Sequence, residues 1–338
     1  MIRPEDLLRP TPAGLYCPVG NFHIDPVRKV DRAVITHAHA DHARSGHDAV
    51  LATAPTLDMM EVRYGEAFAK TRQPVAYGDT TDINGVTVSL APAGHVLGSG
   101  QAVVEYKGLK MVCTGDYKRR PDPTCALFEP VKCDVFITEA TFALPVFRHP
   151  PPEDEIAKLL LSVETFPERA HFIGAYSLGK AQRVIALLRA AGYDKTIWAH
   201  KSLQGLNAVY AKYGVDLGDV EILPDPDKAH PFETKGTVVI GPSQTLTDKL
   251  ARMLDDPIRA FASGWMRVRA RAKASGIELP MIISDHADWD ELTETAQEIS
   301  PDELWITHGR EEALVRWAQL NGLCARPLKL VGYDEESA

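Results

Sequence analysis

The chain has 338 residues, of which 45% are hydrophobic and 25% charged, a composition typical of a globular protein with room for two domains. Its formal net charge of -9 excludes a surface that is basic throughout, so nucleic acid could be bound only through local patches or metal ions. No apolar run approaches the ~20 residues that a membrane span requires, and the five cysteines are scattered without paired spacing. We therefore expect a cytoplasmic protein that does not bind membranes.

Short β-rich runs separated by turn residues recur from Ala33 to Thr138. After the prolines at 150–152, helical patterns alternate with apolar strands, as in DEIAKLLLSVETF followed by HFIGAY. Near Met281 the first pattern returns with MIIS, a helix-like DWDELTETAQEI and the strand ELWIT. The pattern predicts a domain that is interrupted by an α/β insert and then resumes, with a loose tail over 334–338. The predicted ranges are 1–144 for the first part, 145–278 for the insert and 279–338 for the return segment.

The apolar run AVIT at 33–36 is predicted to be a strand, and four side chains of metal-ligand type directly follow it within six residues: His37, His39, Asp41 and His42. Residues i and i+2 of an extended segment face one side, so the first two histidines can share one ion. Asp41 and His42 lie at the following turn and can reach a second ion. The alternative is a polar loop whose histidines only satisfy hydrogen bonds, but the HxHxDH spacing favours two metals.

Further ligand candidates lie at the ends of other predicted strands. They are His95 in PAGHVLGSG, Asp116 in VCTGDYK and His308 in LWITHGR. In isolation each is more typical of a capping or core polar residue, but together they supply the ligands that the first motif lacks. Asp116 is the best candidate to bridge two ions, because a carboxylate has two oxygens and a neutral imidazole binds one ion.

These motifs together resemble the metallo-β-lactamase superfamily. HAHADH, GHVLGSG and TGDYK look like the second, third and fourth motifs of that fold, and Asp25 in NFHIDP fits the first. ITEATF, SDHADW and THGR look like motifs A, B and C of its β-CASP nuclease group, with Glu139, His286 and His308 in the diagnostic places. The resemblance implies an α/β fold, an αββα sandwich, with an inserted α/β β-CASP domain.

The resemblance also implies roles for these residues. The implied ligands of one ion are His37, His39, His95 and Asp116. The implied ligands of the other are Asp41, His42, Asp116 and His308. Two divalent cations, Zn²⁺ above all with Mn²⁺ as the alternative, would activate water for attack on phosphorus, which places Asp41 and Asp116 among the catalytic residues. His286 would be the general acid, oriented by Glu139, and Asp25 would hold the ligand loop. The alternative interpretation of Glu139 and His286 is a buried structural ion pair.

Three basic or polar segments are candidates for binding the substrate. Lys118 and Arg119 directly follow Asp116, and Ser177 and Lys180 precede a helix of the insert, where free N–H groups favour phosphate. A solvated basic turn and an ordinary helix cap are equally compatible with those two patterns. In WMRVRARAK, cations alternate with other residues, and we expect an extended segment that projects them all from one face. The cations of this segment named as candidates are Arg267, Arg269 and Arg271.

The segments GLYCPVGNFHIDP, FASGWM and ISDHADWDEL look most like a short bacterial group, the ligase-associated DNA exonucleases. That resemblance implies a DNA exonuclease in repair, with DNA as substrate and an ATP-dependent DNA ligase and a helicase as possible partners. The alternative is an RNA nuclease of the mRNA 3'-end processing type, which a histidine at motif C favours. A catalytically inactive scaffold protein, which would bind nucleic acid or a partner without cutting, is disfavoured because a residue able to bind metal occupies every expected ligand position. Hydrolysis of a small substrate would leave the long insert without a role.

Overall fold

The computed structural model describes residues 2–225 and 234–330. The chain divides into two compact units, which we call unit 1, the described residues up to Arg148 and from His286 onward, and unit 2, His149–Asp285. The loose tail predicted over 334–338 lies outside the described residues. Within the part of the chain that is described, no helix is both long enough and apolar enough to cross a membrane.

Strands predominate in the chain up to Ala140, and beyond it helices alternate with strands. The strands are β1 Arg9–Thr11, β2 Gly14–Cys17, β3 Phe22–Ile24, β4 Arg32–Val34, β5 His47–Thr53, β6 Ala69–Val75, β7 Thr81–Ile83, β8 Val86–Pro92, β9 Gly100–Tyr106, β10 Leu109–Cys113, β11 Val135–Ala140, β12 His171–Gly174, β13 Ile197–Ala199, β14 Val220–Ile222, β15 Val238–Gly241, β16 Ile258–Ala262, β17 Leu279–Met281, β18 Glu303–Gly309 and β19 Ala325–Pro327. The α-helices are α1 Pro4–Leu7, α2 Ala54–Tyr64, α3 Pro152–Thr165, α4 Lys180–Ala190, α5 Gln204–Lys212, α6 Asp248–Met253, α7 Arg269–Ala274, α8 Trp289–Ile299 and α9 Glu311–Leu320. Short 3-10 helices span Glu66–Phe68, Lys201–Leu203, Ser243–Thr245 and Gly264–Arg267.

Unit 1 is built on two sheets. In the described residues one sheet has the order β1-β2-β3-β4-β5-β6 and the other β19-β18-β11-β10-β9-β8-β7. Side chains from both sheets form one apolar core, in which Phe22 and Leu51 of the first sheet lie with Val104 and Ile137 of the second. The sheets therefore pack face to face around this core.

Helices cover the other face of the second sheet. Successive side chains of a strand point to opposite faces, so Val103 and Phe136 pack away from the core that contains their neighbours. There they contact Leu292 and Ile299 of α8 and Leu314 of α9. With α2 against β5 and β6 of the first sheet, this arrangement confirms the predicted α/β class and αββα sandwich.

Unit 2 is a separate α/β unit. Its sheet has the order β14-β13-β15-β12-β16-β17, and all of its pairings are parallel. Strands of a parallel sheet need crossover connections, which the helices between them supply. The predicted return segment began at residue 279, but Leu279–Met281 pairs with Ala260–Ala262 and so belongs to the sheet of unit 2. The chain returns to unit 1 at His286.

Candidate metal centre

The histidine-rich motif lies in a loop that begins directly after β4. Asp25, which follows β3, accepts hydrogen bonds from the backbone N–H of Thr36 at 2.7 Å and from its hydroxyl at 2.6 Å. The Asp25 carboxylate also accepts from His42 Nδ1 at 2.8 Å. Because a carboxylate accepts but does not donate, His42 carries a proton on Nδ1, and its Nε2 is left for another partner.

Thr36 orients a second imidazole in the same direction. Its hydroxyl gives its proton to Asp25, so its oxygen accepts from His37 Nδ1 at 3.1 Å. The Nε2 atoms of His37 and His42 then both lie 3.4 Å from Oδ2 of Asp116, in the loop after β10. The buried carboxylate of Asp25 thus orients the imidazoles of His37 and His42 towards the same oxygen of Asp116.

His95 and His39 complete this group. His95 lies in the turn between β8 and β9, with its Nε2 3.8 Å from Asp116 Oδ2 and 2.9 Å from His39 Nδ1. One ligand atom from each of four residues, His37, His39, His95 and Asp116, lies within 4.8 Å of the others. Four tetrahedral ligands, each ~2.0–2.2 Å from one Zn²⁺, lie roughly 3.3–3.6 Å apart. The donor set therefore fits one divalent cation.

The electrostatics of the cluster also favour a cation. Burial lowers the pKa of His37 and of His308 to about 4, which keeps both imidazoles neutral. Burial alone would raise the pKa of the Asp116 carboxyl, but the neighbouring His42 lowers that pKa well below its ordinary value. Burial likewise opposes protonation of His42, but Asp116 and Asp41 outweigh it and raise the pKa of His42 well above its ordinary value. Asp116 is thus ionised, and the positive charge that stabilises it can come from protonated His42 or from a bound cation.

The residues predicted to hold a second ion are also neighbours, but they are less tightly grouped. His42 Nε2 lies 3.7 Å from Asp41 Oδ2 and 3.4 Å from Asp116 Oδ2. The ring centroids of His42 and His308 are 5.4 Å apart. His308 is the penultimate residue of β18 and has a φ of 55°, and the last residue, Gly309, has a φ of 131°. The glycine is required here because a side chain would collide with the backbone of Ala140.

An acid–base pair borders the cluster. His286 Nδ1 lies 2.9 Å from Glu139 Oε2, and Glu139 Oε1 accepts from the backbone N–H of Tyr117 at 2.7 Å. Burial raises the pKa of the Glu139 carboxyl, and the imidazole of His286 opposes that rise. The ring of His286 lies 4.8 Å from that of His95, and ligand-type atoms of Asp116, Glu139 and His286 lie within 4.8 Å of one another. The pair is thus adjacent to the predicted metal ligands.

Comparison with known families agrees with this geometry. Residues 24–164 match the family described as the metallo-beta-lactamase superfamily. The chain contains a metallo-beta-lactamase domain. The matched range includes Asp25, the histidine-rich loop, Asp116 and Glu139.

Curated relatives of the chain carry names from DNA and RNA metabolism. The chain is 26% identical over 323 residues to a protein named "Probable DNA ligase" from Opitutus terrae, covering 90% of the chain and 30% of that protein. It is 34% identical over 174 residues to cleavage and polyadenylation specificity factor subunit 3 of Dictyostelium discoideum, covering 48% and 22%. It is 30% identical over 196 residues to the endoribonuclease YSH1 of Gibberella zeae, covering 47% and 23%. The chain therefore spans less than a third of the length of these curated relatives.

A solved structure supports the fold alone. The chain resembles the crystal structure of a protein of unknown function from Enterococcus faecalis V583 with a TM-score of 0.56 and 14% sequence identity. The match covers 89% of this chain and 80% of that one. It agrees with the α/β architecture described above.

Two lysines predicted to bind substrate are engaged inside the protein. Lys118 is 1% exposed, and its Nζ donates to Asp122 at 2.7 Å. Lys180 is 5% exposed, and its Nζ donates to the carbonyl oxygen of Ile283 at 3.0 Å and lies 3.1 Å from Asp285. Prediction of an exposed phosphate-binding ammonium at these two positions was wrong, because each charge is already neutralised by a buried carboxylate.

The remaining predicted substrate residues differ in their surroundings. Arg119 forms ion pairs with Glu298 at 2.6 Å and Glu294 at 3.6 Å. Ser177 is partly exposed, and its carbonyl oxygen accepts from the side chain of Gln182 at 3.0 Å.

The arginine-rich segment is helical rather than extended, so the prediction that its cations share one face of a strand was wrong. It consists of the 3-10 helix Gly264–Arg267 followed by α7, which contains Arg269 and Arg271. Ser263 caps the start by accepting from the N–H of Trp265, and the alanines of α7 favour a helix. Arg267, Arg269 and Arg271 are exposed, and the guanidinium of Arg271 lies 4.2 Å from the ring centroid of Trp265.

Sequence reasoning missed a set of buried acids beside the site. Asp288 and Glu291 form a capping box at the start of α8, two and five residues after His286. The signal was available as the D-x-x-E spacing in DWDEL, which is typical of a helix start. The contacts of Asp288 and Glu291 with the loop after Asp116 could not be predicted from that spacing.

Proposed function

We propose that the chain is a metal-dependent nuclease of the β-CASP group, and specifically a DNA exonuclease of repair. The observation that carries the proposal is the position of the hydrogen-bonded pair His286–Glu139 directly beside the convergent ligand atoms of His37, His39, His95 and Asp116. A cation site next to an oriented imidazole can activate water and protonate a leaving group, which are the two tasks in cleaving a phosphodiester.

The proposed ligands are those that the motifs predict. His37, His39, His95 and Asp116 would hold one divalent cation, and Asp41, His42, Asp116 and His308 would hold a second. Nitrogen and oxygen donors of this kind suit Zn²⁺, with Mn²⁺ as the alternative. Bound cations would acidify water and neutralise the charge on the non-bridging phosphate oxygens. Asp25 would hold the ligand loop through Thr36 and His42.

His286 would supply the proton for the leaving group. Glu139 accepts from Nδ1, so Nε2 of His286 is the atom that would face the scissile bond. In the proposed reaction a water molecule gives up one proton to bulk solvent and its oxygen bonds to phosphorus. The bond from phosphorus to the nucleotide oxygen breaks, and that oxygen takes a proton from His286. Glu139 would stabilise the protonated imidazole before the transfer.

DNA is proposed as the substrate because the relative named as a DNA ligase matches 90% of the chain. An ATP-dependent DNA ligase and a helicase are the proposed partners, and the cytoplasm the proposed location. The second candidate is an RNA nuclease, which is supported by the relatives named as cleavage factor and endoribonuclease, each matching about half of the chain. The assignment of unit 2 as the β-CASP domain belongs to the same proposal.

The test is digestion of matched 5'-labelled and 3'-labelled single-stranded DNA and RNA by purified protein whose metal content is known. Stepwise loss of nucleotides from DNA, absent in Asp116→Ala, is the expected result, and the labelled end that is lost first gives the polarity. Internal cuts in RNA with intact DNA would establish the second candidate instead. No cleavage of either polymer by protein loaded with Zn²⁺ or Mn²⁺ would refute the nuclease proposal.

A further inference from the structure

The loop after Asp116 and the loop that carries His286 are joined by a buried carboxylate. Oε1 of Glu291 accepts hydrogen bonds from the backbone N–H of Arg119 at 3.0 Å and of Arg120 at 2.8 Å. Oε2 of Glu291 accepts from the backbone N–H of Asp288 at 3.0 Å. One side chain therefore holds both loops by their backbones.

Asp288 adds a second connection between the same two loops. Its Oδ1 accepts from the N–H groups of Asp290 at 3.0 Å and Glu291 at 3.1 Å, which caps α8. Its Oδ2 accepts from the guanidinium of Arg120 at 2.9 Å. A third connection is the N–H of Ala287, which donates to the carbonyl oxygen of Tyr117 at 2.6 Å.

The residues joined in this way flank the two proposed reacting groups. Tyr117 follows Asp116, a proposed metal ligand, and Ala287 follows His286, the proposed general acid. We propose that Glu291, with Asp288 and Arg120, is a positioning device that sets the distance of His286 from the metal ligands. We call these three residues the brace. This inference rests on the proposed function.

The contacts of the brace go beyond what a helix cap requires. A capping box satisfies N–H groups of its own helix start, and Asp288 and Glu291 already do this for each other. Binding the N–H groups of Arg119 and Arg120 serves the other loop instead. Glu291 is 7% exposed, so its carboxylate is desolvated and depends on all of these donors. A change at Glu291 should therefore move the two loops relative to each other.

Two substrates with different leaving groups can distinguish misplacement of the general acid from damage to the metal site. The nucleotide oxygen of DNA is a poor leaving group and needs a proton, whereas 4-nitrophenolate leaves without one. Misplacing His286 should therefore slow cleavage of an oligonucleotide and spare bis(4-nitrophenyl) phosphate. Loss of metal should slow both reactions, because both need activated water.

The experiment measures kcat, KM and metal content for wild type, Glu291→Ala, Glu291→Gln and Arg120→Met. Glu294→Ala is the matched control, because it removes an exposed carboxylate of the same helix that also faces Arg119. For Glu291→Ala we expect kcat on the oligonucleotide to fall roughly 10²-fold, as for a misplaced reacting group. KM, metal content and the nitrophenyl reaction should stay near wild type. Glu291→Gln keeps an acceptor for Arg119 and Arg120 and should recover part of the rate, and Arg120→Met should lose less than Glu291→Ala.

Amide hydrogen exchange gives a readout that does not depend on activity. Exchange at Arg119 and Arg120 should speed up in Glu291→Ala and remain slow in Glu294→Ala. Equal loss on both substrates, or loss of bound metal, would show that Glu291 only supports the fold and would overturn the positioning role. Wild-type kinetics in a folded Glu291→Ala would overturn it as well. If wild type hydrolyses neither substrate, the proposed function itself is refuted, and so is the positioning role of the brace.

Discussion

Two buried clusters of ionisable side chains, one in each unit, use charge in opposite ways. In unit 1 the imidazoles of His37, His42 and His95 converge on Oδ2 of Asp116 at 3.4 to 3.8 Å. In unit 2 the ammonium of Lys180 and the guanidinium of Arg183 each lie 3.1 Å from an oxygen of Asp285. The first cluster gathers imidazoles around one carboxylate, and burial keeps those of His37 and His95 neutral. The second gathers two cations around one carboxylate.

The difference shows how a ligand site and a structural ion pair can be distinguished. In unit 2, Lys180 and Arg183 also donate to the carbonyl oxygens of Ile283 and Ser284, so both cations have acceptors within the protein. In unit 1 the imidazoles are desolvated, and burial would raise the pKa of Asp116 if the charge of His42 and hydrogen bonds from the imidazoles did not lower it. A buried cluster in which donors of electron pairs predominate has a use for a cation, whereas a matched ion pair does not.

Removal of Asp116 should have the largest effect. Asp116→Ala takes away the oxygen that lies nearest to three imidazoles, so bound metal should fall and nuclease activity should drop below detection. The measurement is metal content by mass spectrometry together with oligonucleotide cleavage. Glu129→Gln, an exposed acid of the same unit, is the control and should leave both unchanged. Full metal content and normal cleavage in Asp116→Ala would show that the cluster is not a metal site.

Replacement of His286 should separate the acid from the metal ligands. In His286→Ala we expect cleavage of DNA to slow roughly 10²- to 10⁴-fold, the usual contribution of a general acid, while metal content stays at the wild-type level. The same metal analysis and cleavage assay apply. A loss of metal as large as that in Asp116→Ala would instead make His286 a ligand, which its proximity to Asp116 and Glu139 allows.

The sandwich and the ligand cluster could be predicted because their signals are local. Strand alternation and turn residues predict the sheets, and the HxHxDH spacing brings together side chains whose ligand atoms lie close in the structure. The run AVIT marks the limit of this reasoning. It was expected as a strand to residue 36, but β4 ends at Val34, because the N–H of Thr36 bonds to the side chain of Asp25 rather than to a neighbouring strand.

The basic residues could not be assigned because a sequence shows charge but not its partner. Lys180 is neutralised by Asp285, which lies far along the chain, and Lys118 by Asp122, only four residues away. Glu291 was missed for the complementary reason. Its partners are backbone N–H groups of Arg119 and Arg120, which carry no signal in the side-chain pattern.

The ion cluster of unit 2 should respond in stability rather than in metal binding. Asp285→Ala leaves Lys180 and Arg183 buried without their carboxylate, which should lower the free energy of unfolding by about 3–5 kcal/mol. Urea unfolding measures the change, and metal content should not alter. The control is Asp256→Asn, which alters a carboxylate that is 95% exposed and should change stability little. Equal stability of the two variants would contradict a structural role for the cluster.

A buried histidine outside both clusters, His47, shows how burial shifts the pKa of an imidazole. His47 Nδ1 accepts from the N–H of Val30 at 3.3 Å, and burial lowers the pKa of His47 to about 4, below its ordinary 6.5. The folded state thus favours neutral His47, so its contribution to stability is complete above pH 6.5 and is lost as the pH falls towards 4. With allowance for solvent screening, the loss should be about 1–2 kcal/mol.

His47→Asn keeps an acceptor for Val30 but cannot titrate, so urea unfolding of metal-free protein should show a shallower decline of the free energy of unfolding between pH 6.5 and 4. Identical slopes for wild type and variant would mean that burial of His47 does not disfavour its protonation. Desolvation would then also contribute less to the lowered pKa values of His37 and His308 in the ligand cluster.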